Sequence, residues 1–109
     1  MKRFSLALDL KDDPKLIAEY EAYHKSVWQE IKKSILDAGI LKMEIYRTGN
    51  RLFMIMEAEG SFSFDAKAKA DAANPVVQKW EQLMWAYQQA LPGVRAGEKW
   101  IPMNKIFEL

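Results

Sequence analysis

The chain has 109 residues, half of them hydrophobic, with 16 Lys and Arg against 15 Asp and Glu, for a net charge of +1. This length predicts a single domain over residues 1–109 with one small core. Because the two charge signs are balanced and interleaved, nucleic acid and anionic membrane are poor candidates for partners. There is no cysteine, which excludes thiolate chemistry and fits a cytoplasmic protein. The N-terminal apolar stretch is too short for a signal peptide or a membrane span.

The first part of the chain predicts a strand followed by a helix. Residues 3–10, RFSLALDL, alternate between apolar and polar in the manner of a half-buried strand. Asp13 before Pro14 is a helix start, and Gly39 is a helix end. Between them an apolar stripe recurs at spacings of three and four, which predicts one continuous helix. The stripe consists of Ile17, Tyr20, His24, Val27, Trp28, Ile31 and Ile35.

The remaining elements follow from turn signals. Residues 40–47 and 51–59 predict a hairpin around the turn Thr48-Gly49-Asn50. An alanine-rich segment then predicts a short helix. After it, Asn74-Pro75 begins a second long helix, which Pro92-Gly93 stops. Its apolar stripe consists of Val76, Val77, Trp80, Leu83, Met84, Tyr87 and Leu91. Residues 103–109 predict a last strand.

The order β-α-β-β-α-β predicts an α+β, ferredoxin-like fold, with both helices on one face of an antiparallel sheet. The strand RLFMIMEAE is apolar on both of its sides, since Phe53 and Ile55 alternate with Leu52, Met54 and Met56. A strand covered on one face only should be polar on the other. We therefore expect a second copy to cover the open face, giving a homodimer of stacked sheets, a dimeric α/β barrel. The alternative is a central strand with two exposed apolar side chains.

His24 is the only histidine of the chain, and it lies in the apolar stripe of the first predicted helix, one turn after Tyr20 and one turn before Trp28. One interpretation is a core histidine that bonds to a carbonyl or a carboxylate. The other is a pocket between helix and sheet, walled by these three residues and by Trp80. Aromatic faces with a few polar groups suit a carbohydrate. Trp85 and Trp100 are interpreted as edge or interface residues.

Phosphate-binding, zinc-protease and serine-hydrolase motifs are absent from the sequence. The chemistry that the residues offer is therefore proton transfer. The motif Tyr20-x-x-x-His24-x-x-x-Trp28, the hairpin MEIYRTGNRLFMIME, the helix start NPVVQKW and the terminal IFEL together resemble the L-rhamnose mutarotase family of sugar anomerases. The likeness runs over nearly the whole chain.

The resemblance implies a dimer that interconverts the α and β anomers of a 6-deoxy-L-hexose without cofactor or metal. It implies that His24 is catalytic and that Tyr20 and Trp80 bind the sugar. Glu81 stands where rhamnose-acting relatives carry a second tryptophan, and Met43 where they carry a tyrosine. Both positions are expected to touch the sugar, and these two departures favour L-fucose over L-rhamnose.

The mechanism expected from the resemblance is ring opening and reclosure. His24 donates a proton to the ring oxygen, while Tyr20 or Glu81 takes or orients the anomeric proton. Two other hypotheses are compatible with an aromatic cavity on this scaffold, which hosts many functions. One is a small monooxygenase acting on aromatic or haem-like ligands. The other is a binding module that does no chemistry.

Overall fold

The computed structural model describes residues 1–95 and 97–109. In these residues the elements are β1 (Lys2–Leu10), α1 (Pro14–His24), α2 (Gln29–Asp37), β2 (Ile40–Thr48), β3 (Arg51–Ala58), α3 (Phe64–Ala72), α4 (Pro75–Trp85), β4 (Gln88–Gln89) and β5 (Ile101–Pro102). The sheet is antiparallel, with the strand order β2-β3-β1-β4, and β5 also pairs with β1. This is the α+β, ferredoxin-like order that the sequence predicts, and the prediction is confirmed.

The core lies between the helices and one face of the sheet. Leu6 opposes Met54 and Leu8 opposes Leu52 across β1 and β3, and all four side chains are buried. Helix residues complete two apolar clusters, one around Tyr20, Trp80 and Tyr87 and another around Ile40 and Phe62. Burial of this face is the main contribution to the stability of so small a domain.

The predicted hairpin is confirmed. β2 and β3 join through a turn in which Gly49 has φ +56°, a left-handed conformation that glycine adopts without the strain a Cβ would cause. The side chain of Asn50 donates from Nδ2 to the carbonyl of Leu10 at 3.1 Å. The turn is thereby attached to the end of β1.

The prediction of one helix from Asp13 to Gly39 is wrong, because the chain leaves the helix after His24. The amides of Lys25 and Ser26 donate to the carbonyls three residues back, and Trp28 takes an extended conformation with φ −57° and ψ 138° before α2 begins. Serine and a β-branched valine at positions 26 and 27 are weak helix formers, so the helix can end here at little cost in free energy. His24 and Trp28 therefore belong to different segments.

The prediction of a last strand over residues 103–109 is also wrong. The pairing with β1 stops at Pro102, after which the amide of Met103 donates to the carbonyl of Ser5 at 2.7 Å. Beyond this point Ile106 and Phe107 are 96% and 76% exposed. β4 and β5 both pair with the same edge of β1, and the described pairing along this edge ends at Pro102.

The second long helix is shorter than predicted. It ends at Trp85 rather than near Leu91, because Gln88 and Gln89 turn back to pair with Leu10 and Asp9 of β1. The alanine-rich segment forms α3, as predicted.

The face of the sheet that the helices leave open carries apolar side chains. Phe53 and Ile55 are half-buried, and Tyr46 opposes Phe53 with the two ring centroids 6.4 Å apart. Tyr46 remains 52% exposed. The two-sided apolar character of β3 is confirmed, whereas the second copy over this face stays a prediction.

Candidate active site

A cavity of about 520 Å³ opens between the helices and the sheet, a size typical of small-molecule sites of roughly 300–1,000 Å³. Apolar side chains from three strands form its floor, namely Leu6, Met43, Ile45, Met54 and Met56. The helices and the segment between α1 and α2 supply both apolar and polar walls, among them Tyr20, His24, Val27, Ile31, Ser34, Ile35, Phe64, Lys67, Asp71, Val77, Trp80, Glu81 and Met84. Most of the polar groups therefore come from the helices, and Gln88 of β4 and Lys99 add two more.

α1 brings Tyr20 and His24 to the cavity. Asp13 caps this helix, its carboxylate accepting from the amides of Lys15 and Leu16 at 2.9 and 3.3 Å. At the other end, Nδ1 of His24 lies 2.8 Å from the carbonyl oxygen of Tyr20. A carbonyl only accepts, so Nδ1 carries a proton and donates it. Nε2 is consequently the ring nitrogen that remains for a ligand.

The hydroxyl of Tyr20 is held by Gln88 of β4. The side-chain amide of Gln88 donates from Nε2 to the Tyr20 hydroxyl oxygen at 3.2 Å, and both residues are buried. Burial raises the pKa of Tyr20 above its ordinary value of 10.0, and the hydrogen bond from Gln88 opposes this only in part. Tyr20 therefore keeps its proton at neutral pH and acts as a donor, not as a base.

Aromatic rings surround His24. Its ring centroid lies 4.4 Å from that of Tyr20 and 5.7 Å from that of Trp80. Trp28 packs edge-on against Trp80 at 5.0 Å, but it is 37% exposed and stands behind Trp80 rather than among the described cavity-lining residues. Of the four residues of the predicted wall, Tyr20, His24 and Trp80 line the cavity, while Trp28 packs on Trp80 outside the described lining; their roles toward a ligand stay a prediction.

α4 presents Trp80 and Glu81 to the cavity. Asn74 caps this helix by accepting from the amides of Val76 and Val77 at 3.0 and 3.3 Å. Glu81 is half-buried and lines the cavity, with Nε2 of Gln78 at 3.5 Å from its Oε2. A carboxylate and an imidazole therefore reach the same cavity from different helices, a pair suited to acid–base catalysis.

Several cavity residues were not predicted as site residues. Lys67 and Asp71 line the cavity from α3, and Lys99 and Trp100 line it from the segment before β5. Trp100 was interpreted as an edge or interface residue, but it packs against both core clusters. A lysine and an aspartate four residues apart in an alanine-rich helix look like a solvated face in sequence, so only the packing of α3 identifies them.

No group of three or more His, Cys, Asp or Glu side chains in residues 1–95 and 97–109 is placed to hold a metal ion. In the same residues, none of the helices combines the length and apolar character needed to cross a membrane.

The chain matches the family model described as L-rhamnose mutarotase over residues 3–109. It is 47% identical to an L-fucose mutarotase of Xanthomonas campestris pv. campestris, over all of this chain and 89% of that protein. It is 32% identical to an L-rhamnose mutarotase of Phocaeicola vulgatus, over all of this chain and 99% of that protein. Its fold is similar to the crystal structure of an L-rhamnose mutarotase from Formosa agariphila, with a TM-score of 0.73 at 23% identity, covering 100% and 99% of the two chains.

The family match and these relatives define the chain as a carbohydrate isomerase. The chain belongs to the L-rhamnose mutarotase family. The two relatives described above are named L-fucose mutarotase and L-rhamnose mutarotase. Among the three hypotheses raised from the sequence, this membership favours the mutarotase over the monooxygenase and over the binding module.

Proposed function

We propose that this protein interconverts the α and β anomers of a 6-deoxy-L-hexose, with L-fucose preferred to L-rhamnose. The observation that carries the proposal is the position of His24 in the cavity wall, with Nδ1 donating to the Tyr20 carbonyl at 2.8 Å. This bond fixes the tautomer and orientation of the ring, so that proton transfer proceeds through Nε2.

In the proposed reaction His24 is the acid and Glu81 the base. Nε2 of protonated His24 gives its proton to the ring oxygen as the bond from that oxygen to the anomeric carbon breaks. Glu81 takes the proton of the anomeric hydroxyl, so that the aldehyde forms. After rotation about the bond between the first two carbons, the ring oxygen attacks either face, and both protons return to their original partners. No group is oxidised or reduced.

Tyr20 is proposed as a binding residue. The hydroxyl oxygen of Tyr20 already accepts from Gln88, and the hydroxyl keeps its proton. This O–H group can therefore donate a hydrogen bond to a sugar oxygen. The apolar floor of the cavity, with Met43, Met54 and Met56, suits the methyl group of a 6-deoxy sugar. A sugar with a hydroxyl at that carbon would lose its hydration there without gaining a partner.

The preference for L-fucose rests on Glu81 and Met43, which replace the tryptophan and tyrosine of the rhamnose-acting pattern, and on the relative named L-fucose mutarotase at 47% identity. A carboxylate accepts hydrogen bonds from hydroxyls that an indole would only contact with its ring. A change of this kind alters which hydroxyl arrangement the cavity accepts.

We further propose that the protein works as a homodimer, through the open face of the sheet. Tyr46, Phe53 and Ile55 form an apolar patch there, which would remain in contact with water in a monomer. The salt bridge of Arg51 with Asp9, in which Nε and Oδ1 lie 2.7 Å apart, borders the patch. A location in the cytoplasm stays a prediction from the sequence.

The test is NMR exchange spectroscopy of the anomeric protons of L-fucose and L-rhamnose. Addition of the wild-type protein is expected to speed exchange, more for L-fucose. His24→Ala is expected to reduce the rate by roughly 10²- to 10⁴-fold, the usual contribution of a positioned acid or base.

Tyr23→Phe is the matched control, because Tyr23 precedes His24 on α1 and packs on Trp80 with ring centroids 6.4 Å apart without touching the described cavity. This variant should keep the wild-type rate. Full exchange activity in a folded His24→Ala protein would refute the mechanism, and faster exchange of L-rhamnose would refute the preference.

A further inference from the structure

A second polar wall of the cavity, on α3, takes no part in the proton transfers proposed above. Lys67 and Asp71 lie one helical turn apart and form an ion pair, with Nζ and Oδ2 separated by 2.6 Å. Both residues line the cavity, and their side chains are only 21% and 16% exposed. The pair Lys33–Asp37 on α2 has the same spacing and length but is 68% and 63% exposed. The pair on α3 is therefore withdrawn from bulk water.

A withdrawn ion pair is costly unless its remaining hydrogen-bonding capacity is satisfied. The bond between Lys67 and Asp71 uses one carboxylate oxygen and one ammonium proton. Among the described residues, no fully buried side-chain nitrogen or oxygen lacks a partner. Oδ1 of Asp71 makes none of the described side-chain hydrogen bonds, so it is accessible rather than sealed in the core. The pair thus offers an acceptor and donors to a ligand.

The position of the pair relative to His24 follows from contacts with α4. The side chain of Gln78 donates from Nε2 to the backbone carbonyl of Asp71 at 2.9 Å, which attaches the end of α3 to one face of α4. His24 packs against Trp80 from α1, on another face of the same helix. A ligand between these walls meets His24 at one side and the ion pair of α3 at another.

We propose that the Lys67–Asp71 pair is a binding subsite for a cis pair of ring hydroxyls away from the anomeric carbon. The inference rests on the proposed mutarotase function and deepens it. A carboxylate accepts hydrogen bonds from two neighbouring hydroxyls through its two oxygens, and charge-assisted bonds of this kind are stronger than neutral ones. The ammonium of Lys67 donates to one of the same sugar oxygens.

This subsite makes the cavity selective between the two candidate sugars. In L-fucose the cis hydroxyls are those of the third and fourth carbons, distant from the anomeric carbon. In L-rhamnose they are those of the second and third carbons, beside it. With the anomeric carbon at His24, the pair on α3 matches the cis hydroxyls of L-fucose. Lys67 and Asp71 are therefore specificity-determining residues in this inference.

The test compares Asp71→Asn with Asp37→Asn, the matched change in the exposed pair of α2. Anomeric exchange is measured with L-fucose and with 4-deoxy-L-fucose, which lacks one of the two cis hydroxyls. Asp71→Asn should lower kcat/KM for L-fucose about 10- to 100-fold, the value of bonds to a charged group, mainly through KM. For 4-deoxy-L-fucose the same substitution should lower kcat/KM by less than about threefold, because this sugar lacks one of the hydroxyls that bond to the carboxylate. Asp37→Asn should change neither rate.

Equal losses with both sugars, or no loss with either, would overturn the subsite. If Asp71→Asn does not fold, Lys67→Gln, which keeps the carboxylate, is compared in the same way. Titration of L-fucose against tryptophan fluorescence reports binding separately from exchange. A wild-type protein that binds L-fucose without speeding exchange refutes the mutarotase proposal, and the subsite then stands only if Asp71→Asn weakens that binding. A wild-type protein that neither binds nor exchanges L-fucose refutes both.

Discussion

At the scale of single residues, the burial of Tyr20 determines which protons the site can move. The Tyr20 hydroxyl oxygen accepts from the Gln88 amide at 3.2 Å within a buried environment. Because burial raises the pKa of Tyr20 and so retains its proton, the candidate bases of the site are His24 and Glu81. In the proposed reaction the Tyr20 hydroxyl therefore positions a sugar oxygen and does not deprotonate one.

Tyr20→Phe tests this contact through stability and its dependence on pH. The variant leaves a buried amide of Gln88 without its acceptor, so the free energy of unfolding should fall by about 1–3 kcal/mol at pH 7. Since burial holds the pKa of Tyr20 above 10.0 in the folded state, the folded protein retains a proton that the unfolded chain has lost. The stability from this group is present below about pH 10 and is lost as the pH rises beyond it.

Urea unfolding at pH 8 and pH 10.5 measures the effect. Wild-type protein should lose more stability between these pH values than Tyr20→Phe does, because the variant has no hydroxyl to titrate at that position. The same pH dependence in both proteins would contradict the assignment.

The residues of the site differ in how far the sequence could reveal them. His24 and Tyr20 were identifiable because they interrupt an otherwise apolar stripe at helical spacing. Lys67 and Asp71 were not, because an i,i+4 ion pair looks the same in sequence on a solvated face as on a cavity wall. Only the packing of α3 against α4, through Gln78 and the Asp71 carbonyl, distinguishes the two cases.

At the scale of elements, the caps of the helices determine where the site residues lie. Asn74 accepts from two amides at the start of α4, the helix that carries Trp80 and Glu81. Asn74→Ala should lower the free energy of unfolding by about 1 kcal/mol, since it leaves both amides without that acceptor. Thermal unfolding followed by circular dichroism measures the loss.

Ser63→Ala is the comparison for this cap, because Ser63 accepts from one amide only, at 3.3 Å, at the start of α3. The free energy of unfolding should fall less in Ser63→Ala than in Asn74→Ala. At temperatures well below unfolding, both variants should keep the wild-type exchange rate. A larger loss for Ser63→Ala would contradict the account of the caps.

Local turn and cap signals predicted the beginnings of elements better than their ends. The hairpin and the starts at Pro14 and Pro75 depend on residues whose conformational preferences act locally. The break after His24 and the end of α4 at Trp85 depend on tertiary contacts, such as the pairing of β4 with β1. The apolar pattern continues through both points, so the sequence predicted longer helices than the fold contains.

At the scale of the whole molecule, the open face of the sheet is the surface proposed to join two protomers. Ile55→Asp places a charge in the patch with Tyr46 and Phe53, where it would lose its hydration in an interface. The variant should be a monomer, with half the wild-type mass, at concentrations where the wild type is a dimer. Analytical ultracentrifugation measures both.

Leu36→Asp is the control for this experiment, because Leu36 is 63% exposed on α2, on the helical side of the molecule. It should keep the wild-type mass. A monomeric wild type, or a dimeric Ile55→Asp protein, would refute the proposed interface.

β4 is a very short strand at the edge of the sheet, and it holds one residue of the site in place. This strand has two residues, pairs only with the end of β1, and carries the glutamine that holds the Tyr20 hydroxyl. Short edge segments open far more often than the centre of a sheet does. An opening of β4 would release the Tyr20 hydroxyl while the core stays folded, so we expect the site to lose its geometry by fraying at this edge before the protein unfolds globally.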